Sequence, residues 1–336
     1  MILVTGGAGY IGSHTVKELT GSGYQPVIYD NLKTGHRESI QTEPFIEADL
    51  ADGENLRRVF QAYSIDSVIH FAAYCLVGES VTEPQKYFNN NVRNSIQLLD
   101  IMDEFNVKKI IFSSSAAVYG EPQEFPIAEN HPCLPTNPYG ETKLIFERVL
   151  QAFHALGKLN FISLRYFNAA GADPAGVLGE DHALETHLIP ILLKSALSRS
   201  AVSIYGTDYD TPDGTCIRDY VHVTDLARAH VLALEELTRS ATTGIYNLGN
   251  GNGYSVREVI ETAERVTGSK IRFVEAPRRQ GDPARLVASA EKIRLELGWE
   301  PKYPDLSTII RTAWEWHRNH PKGYRSKGTK GMEHRA

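Results

Sequence analysis

The chain begins Met1-Ile-Leu-Val-Thr-Gly-Gly-Ala-Gly-Tyr-Ile-Gly12, and this stretch decides the fold. Ile2 to Val4 form a short apolar run that stops at glycines, which is typical of a buried central strand in a parallel sheet. Apolar residues at Ile11, Val16 and Leu19 then recur at roughly helical intervals. The sequence therefore predicts a strand, a tight turn and a helix.

The glycines of this turn predict its ligand. Gly6, Gly9 and Gly12 stand three apart, and glycines so placed allow a tight turn, close approach of a pyrophosphate to the backbone, and close packing of helix on strand. The N-terminus of the helix would then face the phosphates of a dinucleotide. Because glycines gather in many loops, the spacing alone leaves an ordinary loop open as the alternative.

Asp30 indicates which dinucleotide is bound. It follows a second predicted strand, Gln25-Pro-Val-Ile-Tyr29, close to the distance expected for an acid that binds the adenosine ribose. Its carboxylate can accept hydrogen bonds from both ribose hydroxyls and would repel a 2′-phosphate, which favours NAD. A turn-forming role for Asp30 next to Asn31 is the alternative.

Composition excludes several classes of protein. The 336 residues suffice for one large and one smaller domain. A net charge of −6, from 41 acidic and 35 basic residues, provides no basic surface for nucleic acid. The three cysteines show no metal-type spacing, and we predict no metal site. An odd number of cysteines and an N-terminus that begins directly with a strand instead of a signal peptide predict a cytoplasmic protein. No apolar run approaches the length of a membrane span.

Strands and helices alternate along the first half, which predicts an α/β fold with a Rossmann-type, doubly wound parallel sheet. Strands are predicted at 45–46, 67–71, 109–112 and 162–165, and helices around 56–60, 84–102 and 138–153. Five residues lie near the carboxyl ends of these strands or on the helix that follows. They are candidates either for ligand contact or for turns and caps: Asp49, Phe71, Ala72, Ala73 and Asn90.

Three further side chains form a candidate catalytic set. Ser115 leaves a strand end, while Tyr139 and Lys143 stand four apart at the start of a predicted helix and so share one face. The spacing itself proves little, because Tyr29 and Lys33 repeat it across a strand end and a loop. Placement after a serine-bearing strand and a dinucleotide turn distinguishes the second pair.

These motifs, in this order, resemble the extended short-chain dehydrogenase/reductase family, and within it the UDP-sugar 4-epimerases over nearly the whole chain. The matching stretches are Val4-Thr-Gly-Gly-Ala-Gly-Tyr-Ile-Gly-Ser-His14, Phe112-Ser-Ser-Ser115, Leu164-Arg-Tyr-Phe-Asn168, Asp213-Gly-Thr-Cys-Ile-Arg-Asp-Tyr220 and Ala276-Pro-Arg-Arg279. The resemblance implies an NAD-dependent inversion of C4 of a UDP-hexose, such as UDP-glucose or UDP-galactose, through a 4-keto sugar. It also implies a homodimer.

The resemblance extends the site by individual residues. The implied cofactor-binding residues are Gly6, Gly9, Tyr10, Ile11, Gly12, Asp30, Asn31, Asp49, Leu50, Phe71, Ala72, Ala73, Asn90, Tyr139, Lys143, Tyr166 and Phe167. The implied UDP-sugar residues are Ser115, Asn168, His187, Leu188, Ser203, Tyr205, Arg218, Arg279, Asp282 and Leu286. Arg218 and Arg279 suit a diphosphate because guanidinium groups bind phosphate oxygens bidentately, although surface ion pairs are the alternative for each.

Tyr139 is the implied base, with Ser115 and Lys143 as its helpers. A free phenol titrates near 10, and lowering that pKa by about 3 units requires roughly 4 kcal/mol. A positive charge about 4 Å away supplies about 4 kcal/mol at an effective dielectric constant of 20. Lys143 and the nicotinamide cation are expected to supply that charge, and Lys143 also to hold the nicotinamide ribose.

We predict a nucleotide domain over 1–168, rejoined by a segment near 222–250, a mainly substrate-binding domain over 169–324, and a disordered tail over 325–336. Within the second part we predict strands at 202–205, 217–221, 245–248 and 272–274, and helices near 187–197, 226–237 and 256–266. The strand at 245–248 is expected to rejoin the main sheet. The helices at 226–237 and 256–266 are both expected to pack on the nucleotide domain.

Other functions remain open on the same scaffold. Some family members carry a lysine at the position of Cys75, and the side chain at Leu286 is expected to govern room for a 2-acetamido sugar. Ala116 and Ala117 stand where related dehydratases carry an acid pair, which argues against dehydration. Epimerisation of another UDP-sugar, a pentose or an N-acetylhexosamine, and a non-catalytic NAD-binding regulator are the remaining alternatives.

Overall fold

A computed structural model describes residues 1–279 and 281–326. The first two residues of the predicted tail close the 3₁₀ turn Gly323–Ser326, and residues 327–336 lie outside the described part of the chain. The strands are β1 Ile2–Thr5, β2 Pro26–Asp30, β3 Phe45–Glu47, β4 Ser67–His70, β5 Lys109–Ser115, β6 Asn160–Tyr166, β7 Asn168–Ala170, β8 Val202–Tyr205, β9 Ile217–Arg218, β10 Tyr220–His222, β11 Gly244–Leu248, β12 Tyr254–Ser255, β13 Phe273–Ala276 and β14 Arg285–Leu286.

Helices alternate with the strands through the first half and dominate the second. They are α1 Tyr10–Gly21, α2 Gly53–Ala62, α3 Val77–Thr82, α4 Pro84–Tyr87, α5 Asn94–Glu104, α6 Pro138–Ala155, α7 Leu188–Ser198, α8 Val223–Ser240, α9 Val256–Thr267, α10 Glu291–Leu297 and α11 Leu306–Asn319.

The main sheet has seven parallel strands in the order β11-β6-β5-β4-β1-β2-β3. The strand order reverses between β1 and β4, and this is the point where ligands bind in an open α/β sheet. The order confirms the predicted Rossmann-type fold. The strand predicted at 245–248 is found as β11, which pairs with β6.

Helices cover both faces of this sheet, so its central strands are apolar on both sides. On one face, Val16 and Leu19 of α1 and Leu226 of α8 share a core with the strands. On the other face, Leu98 of α5 and Phe146 of α6 do the same. This burial explains the unbroken apolar run at the start of the chain.

The second part of the chain has its own apolar core and three short sheets, β10-β7, β12-β9-β14 and β13-β8. Its core joins α7, α9 and α11 through side chains such as Leu193, Ile260 and Ile309. The prediction that the helix at 256–266 packs on the nucleotide domain was therefore wrong. The helix at 226–237 does pack there, because α8 lies against α1 and β6.

The strand predicted over 217–221 is divided in two at Asp219. The Asp219 side chain is fully buried and accepts hydrogen bonds from the backbone N–H groups of Asn250, Gly251 and Ala288 at 2.9, 2.9 and 3.1 Å. A buried carboxylate needs such partners. Each half of the strand therefore pairs with a different sheet, β9 with β12 and β14, and β10 with β7.

The helix predicted from Pro84 to Met102 contains a π-helical segment, Phe88–Arg93, between α4 and α5. Asn91 in that segment donates to the Tyr74 carbonyl and accepts from the Tyr74 N–H, both at 2.9 Å. Segments of this kind occur frequently at functional sites. Here the segment holds the loop after β4 in place.

Two contacts of α1 tie the second part to the first. The Tyr10 hydroxyl donates to the Gly171 carbonyl at 2.7 Å, and Lys17 pairs with Asp173 at 2.6 Å. The second part is thereby held beside the carboxyl edge of the main sheet.

None of the helices in the described ranges combines the length and apolar character that a membrane span requires.

A buried ion pair lies beneath the end of β5. The Arg165 guanidinium donates to both Glu147 oxygens at 2.9 and 2.5 Å, and their side chains are 4% and 1% exposed. Ser114 also donates to Glu147 at 2.6 Å, and Arg165 donates to the Tyr119 hydroxyl at 3.0 Å. The pair connects β6, through Arg165, to α6 and β5, which carry the candidate catalytic side chains.

We predict that Glu147→Gln lowers the free energy of unfolding by about 3 to 5 kcal/mol, because it leaves a buried guanidinium without its counter-charge. Glu104→Gln is the matched control. It removes the partner of Arg57 from an exposed bidentate pair and should cost much less, because solvent screens an exposed ion pair. Urea denaturation measures both variants, and equal losses would show that burial adds nothing to the Glu147 pair.

Candidate active site

The turn after β1 leaves no room for a side chain at two of its glycines. A methyl group on Gly12 would lie 2.2 Å from the Gly6 carbonyl oxygen. Gly6 has a φ of +74°, and a methyl group there would lie 2.6 Å from the Ala72 backbone nitrogen. Helix α1 thus begins directly against the strand ends, with the N–H groups of its first turn lacking helical acceptors.

Asp30 is held rigidly at the end of β2. Its Oδ2 accepts from the Ala8 N–H at 2.9 Å, its Oδ1 accepts from the Leu32 N–H at 2.8 Å, and the residue is 8% exposed. Burial raises the pKa of Asp30, and the backbone hydrogen bonds oppose that rise. Each oxygen keeps acceptor capacity for a ribose hydroxyl.

A second carboxylate, Asp49, lies beside Asp30 at this end of the cavity. It accepts from the side chains of Asn31 and Lys33 at 2.8 and 3.0 Å. No feature of the sequence places Lys33 in the site. Its contact with Asp49 could be found only from the structure, because the two residues come from different loops.

The candidate catalytic side chains meet at the ends of β5 and α6. Asn137 caps α6 by accepting from the Gly140 N–H at 2.9 Å, and Pro138 fits the first helical position. This start places Tyr139 in the first turn and Lys143 one turn later. Lys143 Nζ donates to the Ser113 carbonyl at 2.7 Å.

Ser115 ends β5 in extended backbone, and its Oγ accepts from the Ala117 N–H at 3.1 Å. Because that bond uses Oγ as an acceptor, the hydroxyl proton remains available as a donor. Ser115 and Tyr139 both line the cavity, and the Ser115 side chain lowers the pKa of Tyr139 against the effect of burial. The structure therefore brings Ser115, Tyr139 and Lys143 together, as the sequence analysis predicted.

Burial controls the charges of this group. It raises the pKa of Tyr139 well above that of a free phenol, with contributions from Cys75 and Tyr166, while the Ser115 side chain lowers it. Burial also lowers the pKa of Lys143 to about 8. Lys143 Nζ lies 5.8 Å from the centroid of the Tyr139 ring.

The opposite wall carries the two arginines. Arg218 donates from Nη2 to Asp282 Oδ1 at 2.9 Å and from Nη1 to the Ile217 carbonyl at 2.9 Å. The Arg279 guanidinium lies 4.0 Å from the centroid of the Tyr205 ring, in a cation–π contact. Both arginines were candidates for diphosphate binding, and Arg218 also forms the ion pair that was its alternative.

Two other predicted substrate residues are fixed by backbone pairing. Leu286 stands opposite Arg218 in the pairing of β14 with β9, and it packs against the cluster that contains Ala116 and Phe167. Asn168 donates from Nδ2 to the Asp219 carbonyl at 2.9 Å. Both positions are therefore determined by the fold.

His187 occupies the N-cap position of α7, and its Nδ1 contacts the Glu180 carboxylate. Burial alone would lower the pKa of His187, but Glu180 raises it above its usual value. His182 and Glu185, which the sequence analysis did not identify, lie beside this pair. The repeated Glu-x-His pattern at 180–182 and 185–187 was the available signal.

One cavity of about 1050 Å³ brings the predicted residues together. Every cofactor-binding, catalytic and substrate-binding residue predicted from the sequence lines it. Its volume is at the upper end of the range of 300–1,000 Å³ common for ligand sites, so it has room for more than one ligand. The role of each lining residue stays a prediction.

Residues 2–249 match the NAD dependent epimerase/dehydratase family. The chain belongs to this family. The NAD dependence in the family's description confirms the cofactor predicted from the glycines and Asp30, and membership confirms that the chain is an enzyme of the predicted class. The family match covers more than half of the sequence, including all seven strands of the main sheet.

Relatives match nearly the whole chain. A UDP-glucose 4-epimerase from Halalkalibacterium halodurans is 55% identical over 324 residues, which cover 96% of this chain and 97% of that protein. A UDP-glucose 4-epimerase from Brucella ovis, solved in complex with NAD, has a TM-score of 0.90 and 49% identity, covering 93% of this chain and 97% of that one. The enzyme from Bifidobacterium longum, solved with NAD+ and UDP, has a TM-score of 0.91 and 42% identity, covering 96% and 99%.

We predict that Gly12→Ala yields protein without bound NAD, because the new methyl group must push α1 away from the Gly6 carbonyl. Gly21→Ala is the matched control at the other end of α1, since its methyl group would meet nothing within 4 Å. Acid extraction of each purified protein measures NAD. Equal NAD contents in the two variants would show that the turn tolerates a side chain at Gly12.

Proposed function

We propose that this protein is an NAD-dependent UDP-glucose 4-epimerase, which interconverts UDP-glucose and UDP-galactose by inverting C4. The observation that carries the proposal is one cavity that joins the dinucleotide turn, the group Ser115, Tyr139 and Lys143, and a wall with Arg218 and Arg279. The relatives and the solved structures that are named UDP-glucose 4-epimerase support it.

The residues present fit NAD. The backbone of the Gly6 to Gly12 turn admits a pyrophosphate at the start of α1, and Asp30 can accept from the adenosine ribose. Asp30 would repel the 2′-phosphate of NADP. When bound, NAD+ supplies the hydride acceptor and donor that C4 requires, because that carbon carries no acidic hydrogen.

Tyr139 takes the proton from the 4-hydroxyl as the C4 hydride leaves, and returns it when the hydride comes back to the other face of the sugar. Ser115 hydrogen-bonds the 4-oxygen and helps to pass the proton. Both side chains lie at the carboxyl edge of the sheet and line the cavity.

Lys143 contributes the positive charge of its ammonium and its position in the cavity. Its ammonium is anchored to the Ser113 carbonyl, and with a pKa of about 8 it is mostly protonated at neutral pH. A positive charge near the phenol favours the phenolate. The same group is placed to hold the nicotinamide ribose.

The UDP part must stay bound while the 4-keto sugar turns over. Arg218 and Arg279 can hold the diphosphate through charge-assisted hydrogen bonds. The sugar end contacts the apolar side chain of Leu286, which offers no hydrogen bond that would fix one orientation. Strong contacts at the diphosphate and weak ones at the sugar permit rotation without release.

Two alternatives, one reaction and one non-catalytic role, fit the site less well. Dehydration requires an acid and a base after Ser115, and Ala116 and Ala117 cannot move protons. A non-catalytic regulator has no need for the converged Ser115, Tyr139 and Lys143. Another UDP-sugar remains the nearest alternative, since a relative from Campylobacter jejuni at 41% identity is named a UDP-Glc/GlcNAc 4-epimerase.

The division of the chain and its assembly are also part of the proposal. We assign residues 1–168 and the segment near 222–250 to the nucleotide domain, and residues 169–324 mainly to the substrate domain. Pairing of β11 with β6 and the separate core around α7, α9 and α11 support this division. We further propose a cytoplasmic homodimer. The three cysteines are free thiols, which suits a reducing compartment.

Tyr139→Phe is expected to lower kcat by about 10²- to 10⁴-fold, because it removes the proton acceptor. UDP affinity should remain, since the arginines are untouched. Tyr63→Phe, a change at the far end of α2, is the control and should leave both quantities unchanged. Turnover of UDP-galactose and calorimetric titration with UDP measure the two effects. Near-normal turnover in Tyr139→Phe would assign the proton to another residue.

Leu286 is expected to decide which sugars are accepted. Apolar pockets reject a poorly fitting substrate by only about 1 to 3 kcal/mol. We therefore expect UDP-glucose and UDP-galactose to be preferred and UDP-N-acetylglucosamine to react slowly. Leu286→Cys should raise relative kcat/KM for the acetamido sugar, and Leu286→Tyr should lower it. A flat ratio across the three proteins would show that Leu286 does not contact the sugar.

A further inference from the structure

Four side chains converge on the loop before α7, separate from the proposed catalytic group. They are Glu180, His182, Glu185 and His187, and one ligand-type atom of each lies within 4.8 Å of all the others. His187 Nδ1 contacts Glu180 Oε1, and His182 Nδ1 lies 3.4 Å from Glu180 Oε1 and 3.6 Å from Glu185 Oε1.

Both carboxylates of this cluster are buried. The Glu180 side chain is 4% exposed and that of Glu185 is 8% exposed. Glu185 Oε2 has no hydrogen-bond partner within the described residues, and Lys194 Nζ stands 3.6 Å from it. Buried carboxylates require compensation by cations or hydrogen bonds, and this oxygen has the ion pair with Lys194 but no hydrogen bond.

The donor set fits a zinc ion. Two imidazoles and two carboxylates make the four-coordinate N/O set that Zn²⁺ accepts, whereas Ca²⁺ and Mg²⁺ prefer oxygen alone. The charge of +2 equals that of the two carboxylates with opposite sign. Zinc–ligand bonds of about 2.0–2.2 Å place tetrahedral donors roughly 3.4 Å apart. The widest separations in the cluster must therefore shrink by up to about 1.4 Å, and the contact between His187 and Glu180 must lengthen.

The backbone around the cluster is already held in place. Glu185 Oε1 accepts from the N–H groups of Thr186 and His187, each at 3.0 Å. Asp181, between Glu180 and His182 in sequence, accepts from the Tyr324 N–H at 3.0 Å. Supporting hydrogen bonds of this kind orient metal ligands and are part of a metal site.

We propose that Glu180, His182, Glu185 and His187 form a zinc site on the wall of the cavity. Coordination fixes the loop at 180–187 on the wall of the cavity. The sequence analysis expected no metal because it considered cysteine spacing alone. The site rests on none of the catalytic assignments, so it can be tested without turnover.

The test uses the full chain with its bound NAD, treated with a chelator and then dialysed against buffered Zn²⁺. We expect one ion per chain by elemental analysis, and with Co²⁺ the visible absorption of a four-coordinate ion. His182→Gln and Glu185→Gln should each weaken zinc binding at least about 10-fold. His154→Gln, a change on α6 outside the cluster, should have no effect and controls for binding by other histidines.

Lys194→Ala provides the opposite change. It removes the positive charge 3.6 Å from Glu185 Oε2, so zinc affinity should rise, a result that poor folding cannot produce. Retained NAD verifies that each variant is folded. Binding of less than one ion per chain at micromolar zinc would overturn the proposal. So would equal affinity in the parent and the two cluster variants.

Discussion

Helix α1 can begin directly on the central strand because Gly12 has no side chain to hold it away from the Gly6 carbonyl. That contact brings the N-terminus of α1 to the carboxyl edge of the sheet, where β1 and β4 diverge. The Gly6 α-carbon in turn lies against the backbone at Ala72, after β4. Three strand ends, those of β1, β2 and β4, therefore meet at one place, and Asp30 at the end of β2 faces the same cavity. The catalytic group depends on this arrangement, because β5 lies beside β4 and carries Ser115 to the same edge.

Electrostatics then decides how Tyr139 can act. Burial raises the pKa of this phenol, so the site without further charge favours the protonated form. The Lys143 ammonium lies 5.8 Å from the centroid of the Tyr139 ring, and its positive charge favours the phenolate. Burial of the phenol works against it. In the proposed function the positive charge of bound NAD+ would add to that of Lys143, which would link proton removal to the oxidised cofactor.

The parts of the fold that the sequence predicted are those determined by local pattern. The Gly6 to Gly12 turn, the buried strands and the Asn137-Pro138 helix start each depend on adjacent residues, and all appear in the structure. The errors concern contacts between distant segments. The division at Asp219 depends on amides from 250, 251 and 288, and the packing of α9 depends on α7 and α11. Ser115 and Tyr139 could be grouped from the sequence because a helix start follows a serine-bearing strand end, but the cluster at 180–187 required the three-dimensional path of the loop.

The ion pair between Arg218 and Asp282 shows how one contact can serve both the free and the bound states. The Arg218 side chain is only 12% exposed, so its guanidinium needs a counter-charge when no substrate is present. Asp282 supplies one charge at 2.9 Å, whereas a diphosphate offers more charge and oxygens spaced for bidentate bonds. In the proposed function the diphosphate therefore replaces Asp282 as the partner of the Arg218 guanidinium. Arg218 is then never buried alone, and the measured affinity for UDP reports the exchange of one partner for another, not the full strength of an arginine–phosphate bond.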